Sequence, residues 1–236
     1  IKRHLKKKRF NQYLENSRDA LLILPRYDHE KSSSVVEVID LMNFEVMHAY
    51  ENKSNQINDK VENSMEFNRI NIDDAEVRFE FRHPLILADG SLISDSDYSP
   101  EFKIDFCSNL IWVNDEEAFH HSKMLDHEGN IWIPGLFNPY PGYMQKYYSL
   151  NDDSIIKINT DGKILLNKSV IEILITNKIL DIDFFRSEDP IHLNDIEPAF
   201  NSTNYWKKGD IFLSARHLSA IIHYRPNTNE VINYIT

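Results

Sequence analysis

Short runs in which apolar and polar residues alternate, parted by Asp-Gly or Asn-rich turns, recur along the chain from Ala20 onward. A period of two marks half-buried strands, and such turns are the strongest short-range hairpin signal. ALLIL runs to Pro25, and after a polar loop SVVEVIDLMNFEVMHAY reads as a hairpin about Met42-Asn43. RFEFRHPLILADGSLISDSD gives strand, Asp89-Gly90 turn, strand. The scheme returns in FKIDFCSNLIWVND about Ser108-Asn109, in FHHSKMLDHEGNIWIPG about Glu128-Gly129 and in SIIKINTDGKILLNKS about Asp161-Gly162. GDIFLSARHLSAIIHYRPNTNEVINYIT supplies three more strands, the last turn being Asn227-Thr228-Asn229. Residues 51–76 are polar and weakly periodic and read as a surface excursion. The pattern predicts an all-β fold.

The spacing of these units is regular. His83 and His120 stand 37 residues apart, His120 and His192 72, Gly90 and Gly129 39, and Gly129 and Gly209 80. Steps of this kind fit antiparallel four-stranded blades of a β-propeller, whose repeat runs to about 40 to 50 residues. Each blade's innermost strand delivers its first residues to one central channel, which would bring His83, His120 and His192 together. At that period the chain holds about four blades, an incomplete arc. The inserts FNPYPGYMQKYYSLND and the loop before Gly209 are expected on a rim.

Within HLNDIEPAFNSTNYWKKGDIFLSARHLSAIIHYR, the alternation sets Ile211, Leu213 and Ala215 against Phe212, Ser214 and Arg216. His192 and Asn194 share one strand face, and with Arg216 on a neighbouring strand all three can converge on one anionic group. Plainer uses compete with this one. Arg216 can pair with Asp195 or Asp210, Asn194 and Asp195 can close an Asx turn, and His83 can cap a strand start.

Composition narrows the classes. With 13 Phe, 11 Tyr and 3 Trp, the 236 residues favour strands, and one undivided β domain can be this long. A net charge of −11 argues against nucleic acid as a partner, since duplex binding needs a clustered basic face. The single Cys107 excludes an internal disulfide framework and a Cys-rich metal site. No apolar run approaches the ~20 residues that cross a bilayer. Residues 1–17, IKRHLKKKRFNQYLENS, form a separate basic segment: a juxtamembrane stretch after an upstream anchor, or a solvated terminus. Residues 18–236 form the propeller domain.

Three passages also resemble a known family. HLNDIEP, WKKGDIFLSARHLSAI and YRPNTNEVI, together with FHHSKMLDHEGNIWIPG upstream, resemble the arylsulfotransferases, bacterial β-propellers that move a sulfuryl group between phenols. The resemblance spans roughly residues 35–236 and is generic before residue 80. It implies a six-bladed propeller, of which this chain would be a part, continuing past Thr236 by two further blades. It implies transfer from a phenolic sulfate ester to a phenol through a sulfated histidine, with no nucleotide sulfate donor and no cofactor or metal. By the same resemblance His120, His192 and Arg216 are the catalytic candidates and Asn194 a substrate contact. The family's own sulfated histidine has no match here, and His223 sits in a strand whose counterpart is not catalytic. A periplasmic or other extracytoplasmic location is implied as well.

The residue chemistry agrees with that expectation. Sulfuryl transfer, like phosphoryl transfer, asks mainly for positioning and charge stabilisation. The Arg216 guanidinium can grip two sulfuryl oxygens, His192 and Asn194 can donate to them, and His120 can donate to the departing phenolic oxygen. His121 is a weaker contact, since alternation turns it away from His120. Tyr205 and Trp206, with Tyr140, Tyr143, Tyr147 and Tyr148, offer surfaces for a phenol ring. Two other classes stay open: a non-catalytic propeller binding an anionic or aromatic ligand or a partner protein, and a metal site drawing on His83, His120, His192 and His217. The second lacks a spacing such as HExxH.

Overall fold

Five-residue turns recur with one hydrogen-bond pattern, and they define the architecture. A computed structural model of the protein describes residues 19–62, 76–96, 99–136, 151–185 and 187–236. The basic segment and the tyrosines at 140, 143, 147 and 148 lie outside the described residues. In the turns at 87–91, 105–109, 126–130 and 159–163 the first residue's N–H bonds the fifth residue's carbonyl, and the fourth residue's N–H bonds the first carbonyl. The fourth position needs a left-handed backbone, and Gly90, Gly129 and Gly162 supply it at φ 78°, 80° and 83°. Ser108 adopts the same conformation at φ 65°. Asp105, Asp126 and Asn159 open their turns by accepting backbone N–H groups two to four residues ahead.

These turns serve two of four antiparallel up-and-down sheets. The first holds β1 (Leu21–Asp28), β2 (Ser33–Asp40) and β3 (Val46–Glu51). The second runs β4 (Arg82–Ile86), β5 (Leu92–Ser96), β6 (Ser99–Ile104), β7 (Leu110–Asn114). In the third, β8 (Ala118–Phe119) and β9 (Met124–Leu125) both pair with β10 (Ile131–Leu136), followed by β11 (Asp153–Ile158) and β12 (Ile164–Ser169). The fourth runs β13 (Leu193–Pro198), β14 (Ile211–Ala215), β15 (Ala220–Arg225), β16 (Glu230–Ile235). The all-β expectation holds, and the expected hairpin turns fall between paired strands.

Strand alternation then packs the sheets face to face in chain order. Leu92 turns to the first sheet's Val36 and Tyr50, while its neighbour Ile93 turns to Ile131, Ile133 and Ile156 of the third. Trp132 and Ile155 point the other way, toward Leu193, Ile196, Ile211 and Leu213 of the fourth. Each interior sheet is apolar on both faces, and each such Ile or Leu contributes about 1.5–3 kcal/mol by burial. Tethers add to this: Trp112 Nε1 and Asn114 Nδ2 donate to the carbonyls of Thr160 and Gly162, at 3.1 and 2.7 Å, tying second sheet to third.

Two short helices interrupt the strands. α1 (Ser54–Asn58) lies in the segment read as a loop. α2 (Val170–Thr176) fills the space between the third and fourth sheets with Val170, Ile171, Ile173 and Leu174. Among the described residues no helix is long and apolar enough to cross a membrane.

Candidate functional site

Three of the sheets have a histidine in the left-handed region at or just before a strand. His83 (φ 39°) is the second residue of β4, His121 (φ 60°) lies between β8 and β9, and His192 (φ 51°) directly precedes β13. A non-glycine residue held there costs on the order of 1–3 kcal/mol, a strain that clusters at functional sites. The repeat therefore aligns His121, and not His120, with His83 and His192.

These imidazoles form a row. Ring centroids lie 6.3 Å apart for His83 and His121, 5.3 Å for His121 and His192, and 4.8 Å for His192 and His217. His120 joins edge-on at 4.8 Å from His121. His121 thus does not turn away from the cluster but sits at its centre, because a left-handed residue breaks the strand alternation.

Carboxylates stand behind the row. His120 Nε2 is 3.1 Å from the buried Asp153 Oδ1, at ion-pair distance but without hydrogen-bond alignment. Its neighbour Asp152 is fully buried, and burial pushes its carboxyl up to about 7. His192 Nδ1 is 2.6 Å from Asp189 Oδ2, and His217 Nδ1 is 2.6 Å from the Asp189 carbonyl oxygen. Asp195 accepts a short hydrogen bond from Ser122. Beneath His83 and His121, the buried Lys123 ammonium bonds Asp95 at 2.6 Å and lies 3.5 Å from Glu101. It also reaches the carbonyls of Arg82 and His121, each at 3.5 Å, fixing the backbone beside both left-handed histidines.

Arg216 completes the group. Its N–H donates to the His192 carbonyl at 3.0 Å, so it follows the end of β14 directly across from His192. It belongs to the turn and not to the strand, and it is exposed. Among the described residues its guanidinium has no ion-pair partner. Asp210, considered above as a partner for it, is taken: Arg225 grips both its oxygens at 2.7 and 2.8 Å, and His223 Nε2 bonds it at 2.8 Å. Asn194 occupies the bulge where the β13–β14 register shifts, a place where a strand re-aims a side chain.

Tyr205 and Trp206 do not join the cluster. They lie in the loop from β13 to β14, at the end of the sheet opposite His192 and Arg216. Tyr205 is 82% exposed, and Trp206 packs edge-on against Phe212 at 5.7 Å.

At one end of three adjacent sheets, therefore, a row of imidazoles lies beside Arg216, whose guanidinium has no ion-pair partner among the described residues, and such groups are donors suited to a small oxyanion. The arylsulfotransferase (ASST) family model matches residues 83–235, a span that starts at the first left-handed histidine and takes in the whole cluster. The chain belongs to the arylsulfotransferase family. No curated protein matches it. The first sheet lies outside the family match, which is shorter than the resemblance from residue 35.

The arylsulfotransferase cluster also sets the charge on its central imidazole. Burial, reinforced by His120, His192 and His83, lowers His121 to about 4 from an ordinary 6.5. Burial and the Lys123 ammonium lower His83 as well. His121 is then neutral at pH 7, with one ring nitrogen donating and the other accepting a hydrogen bond. Because its folded-state value is depressed, its contribution to stability is complete above pH 6.5 and is lost as pH falls toward 4. In a ¹⁵N-histidine NMR titration His121 should stay neutral until about pH 4; protonation near 6.5 would contradict this environment.

Proposed function

We propose that the protein transfers a sulfuryl group from a phenolic sulfate ester to a phenol, by way of a sulfated histidine and without a nucleotide sulfate donor. The observation that carries this reading is Arg216, held across from His192 by its backbone N–H and with no ion-pair partner for its guanidinium among the described residues, beside the imidazole row. A loose sulfuryl transition state spreads charge over three oxygens, and a planar fork holds two of them at once. Asn194 in its bulge and His192 supply further donors. His120, on the flank of the row, gives a proton to the phenolic oxygen as its bond to sulfur breaks and the sulfur passes to the sulfated histidine the family implies, a role not assigned to any histidine of the row. In the second half it takes the proton of the incoming phenol, whose oxygen displaces that nitrogen. Asp153 places a buried carboxylate 3.1 Å from His120 Nε2, beside the ring that acts in both steps.

The stacked four-stranded sheets we read as consecutive propeller blades, with the histidines near the axis. Family membership supports this, as it supports phenols and their sulfate esters as ligands. A place outside the cytoplasm, in the periplasm, is part of the same proposal.

The experiment is His120→Ala across aryl sulfates of graded phenol acidity. A lost general acid costs on the order of 10²-fold or more with poor leaving groups. The loss should shrink as the phenol becomes more acidic and needs less protonation. A loss that is uniform across the series would remove His120 from this role.

A further inference from the structure

Beside the proposed sulfuryl site, Asp189, His192 and His217 converge from three directions. Asp189 lies in the loop leading to β13, His192 follows it in a left-handed conformation, and His217 sits on the β14–β15 turn. The backbone fixes that approach, since the His217 N–H donates to the Ile191 carbonyl at 2.9 Å. Both imidazoles present Nδ1 to the same residue. Their acceptors are a carboxylate and a carbonyl, neither of which can donate, so each Nδ1 carries a proton in the hydrogen-bonded form. One ligand atom from each of Asp189, His192 and His217 lies within 4.8 Å of the other two, and among the described residues no other such trio of His, Cys, Asp or Glu does so.

We propose that Asp189 Oδ2, His192 Nδ1 and His217 Nδ1 bind one divalent transition-metal ion, for which Zn²⁺ is the probe. Two imidazoles and one carboxylate make a borderline-soft donor set that suits zinc and leaves a fourth position open. With bonds of about 2.0–2.1 Å, tetrahedral ligand atoms sit roughly 3.4 Å apart. Asp189 Oδ2 and His217 Nδ1 are already 3.6 Å apart. Asp189 Oδ2 and His192 Nδ1, now 2.6 Å apart, need to open by less than about 1 Å as the ion replaces the shared proton. The half-exposed position of the three side chains gives the ion a way in. Held through Nδ1, His192 keeps its remaining proton on Nε2, on the opposite side of the ring, as a fixed donor.

Calorimetry with Zn²⁺ on the whole chain, without substrate, tests the site independently of any sulfuryl transfer. One ion per chain should bind saturably. Asp189→Asn and His217→Ala should each weaken binding by more than the roughly 10- to 100-fold lost when only an outer partner of a metal ligand is removed. His121→Ala, an adjacent imidazole outside the set, should bind as the parent does. ¹⁵N shifts of the parent protein with Zn²⁺ should show Nδ1 ligation at His192 and His217, which guards against a variant that folds poorly. Absence of saturable binding, binding indifferent to Asp189 and His217, or ligation through Nε2 would overturn the assignment.

Discussion

Arg216→Lys is expected to lower aryl-sulfate turnover by on the order of 10²–10³-fold while leaving the unfolding midpoint unchanged, because a preorganised donor is lost but no packing is. Lysine keeps the charge and loses the fork; a point charge cannot hold two spreading oxygens in fixed geometry. Arg216 is exposed and has no ion-pair partner among the described residues, so its replacement should cost little in the fold. It acts on the group transferred, so its loss should stay constant across substituted aryl sulfates, unlike that of His120→Ala. Turnover measured beside urea midpoints separates the cases. Near-normal turnover with early melting would make Arg216 a structural residue.

Lys123→Met should act oppositely, on stability first. Lys123 is the buried cation between two buried carboxylates, bonded to Asp95 at 2.6 Å. Burial alone would lower the ammonium, but Asp95 and Glu101 more than offset it and hold it above the usual lysine range. Burial pushes Glu101 up, and Asp95 is the closer partner of the ammonium, at 2.6 Å against 3.5 Å for Glu101. Breaking a buried pair by removing one partner costs about 3–5 kcal/mol. A urea midpoint shift of that size is expected for Lys123→Met. Adding Asp95→Asn should restore more of it than adding Glu101→Gln, since Asp95 is the carboxylate hydrogen-bonded to the ammonium at 2.6 Å and loses that partner. Equal rescue by both, or an unshifted midpoint, would contradict this view of the triad.

The hairpins were legible in the sequence because their turns have strict local demands: a residue that tolerates left-handed φ at the fourth position, and in three of the four an Asp or Asn that opens the turn. The face-to-face packing was legible from alternation, as with Leu92 and Ile93. α2 was missed because VIEILIT is rich in β-branched residues that favour strands. The signal that finds it is the Ser-x-x-Glu start, where Ser169 accepts the Glu172 N–H at 2.9 Å.

The site was legible only in part. His120, His192 and Arg216 stood out through their motifs, but alternation placed His121 wrongly because it assumes extended backbone throughout. Asp153, Asp189 and the place of His217 depend on how loops fold back over strand ends, and no periodicity encodes that. Tyr205 and Trp206 were read as surfaces for a phenol ring at the site, yet the length of β13 separates their loop from His192.

The central claim is tested most directly by incubating the purified protein with a coloured aryl sulfate, with and without a second phenol, in the absence of any nucleotide sulfate. The account predicts release of the coloured phenol that depends on the added phenol, with the sulfate recovered on the acceptor. Release to water that ignores the acceptor, or no release from a protein that is folded and binds the ester, would contradict it.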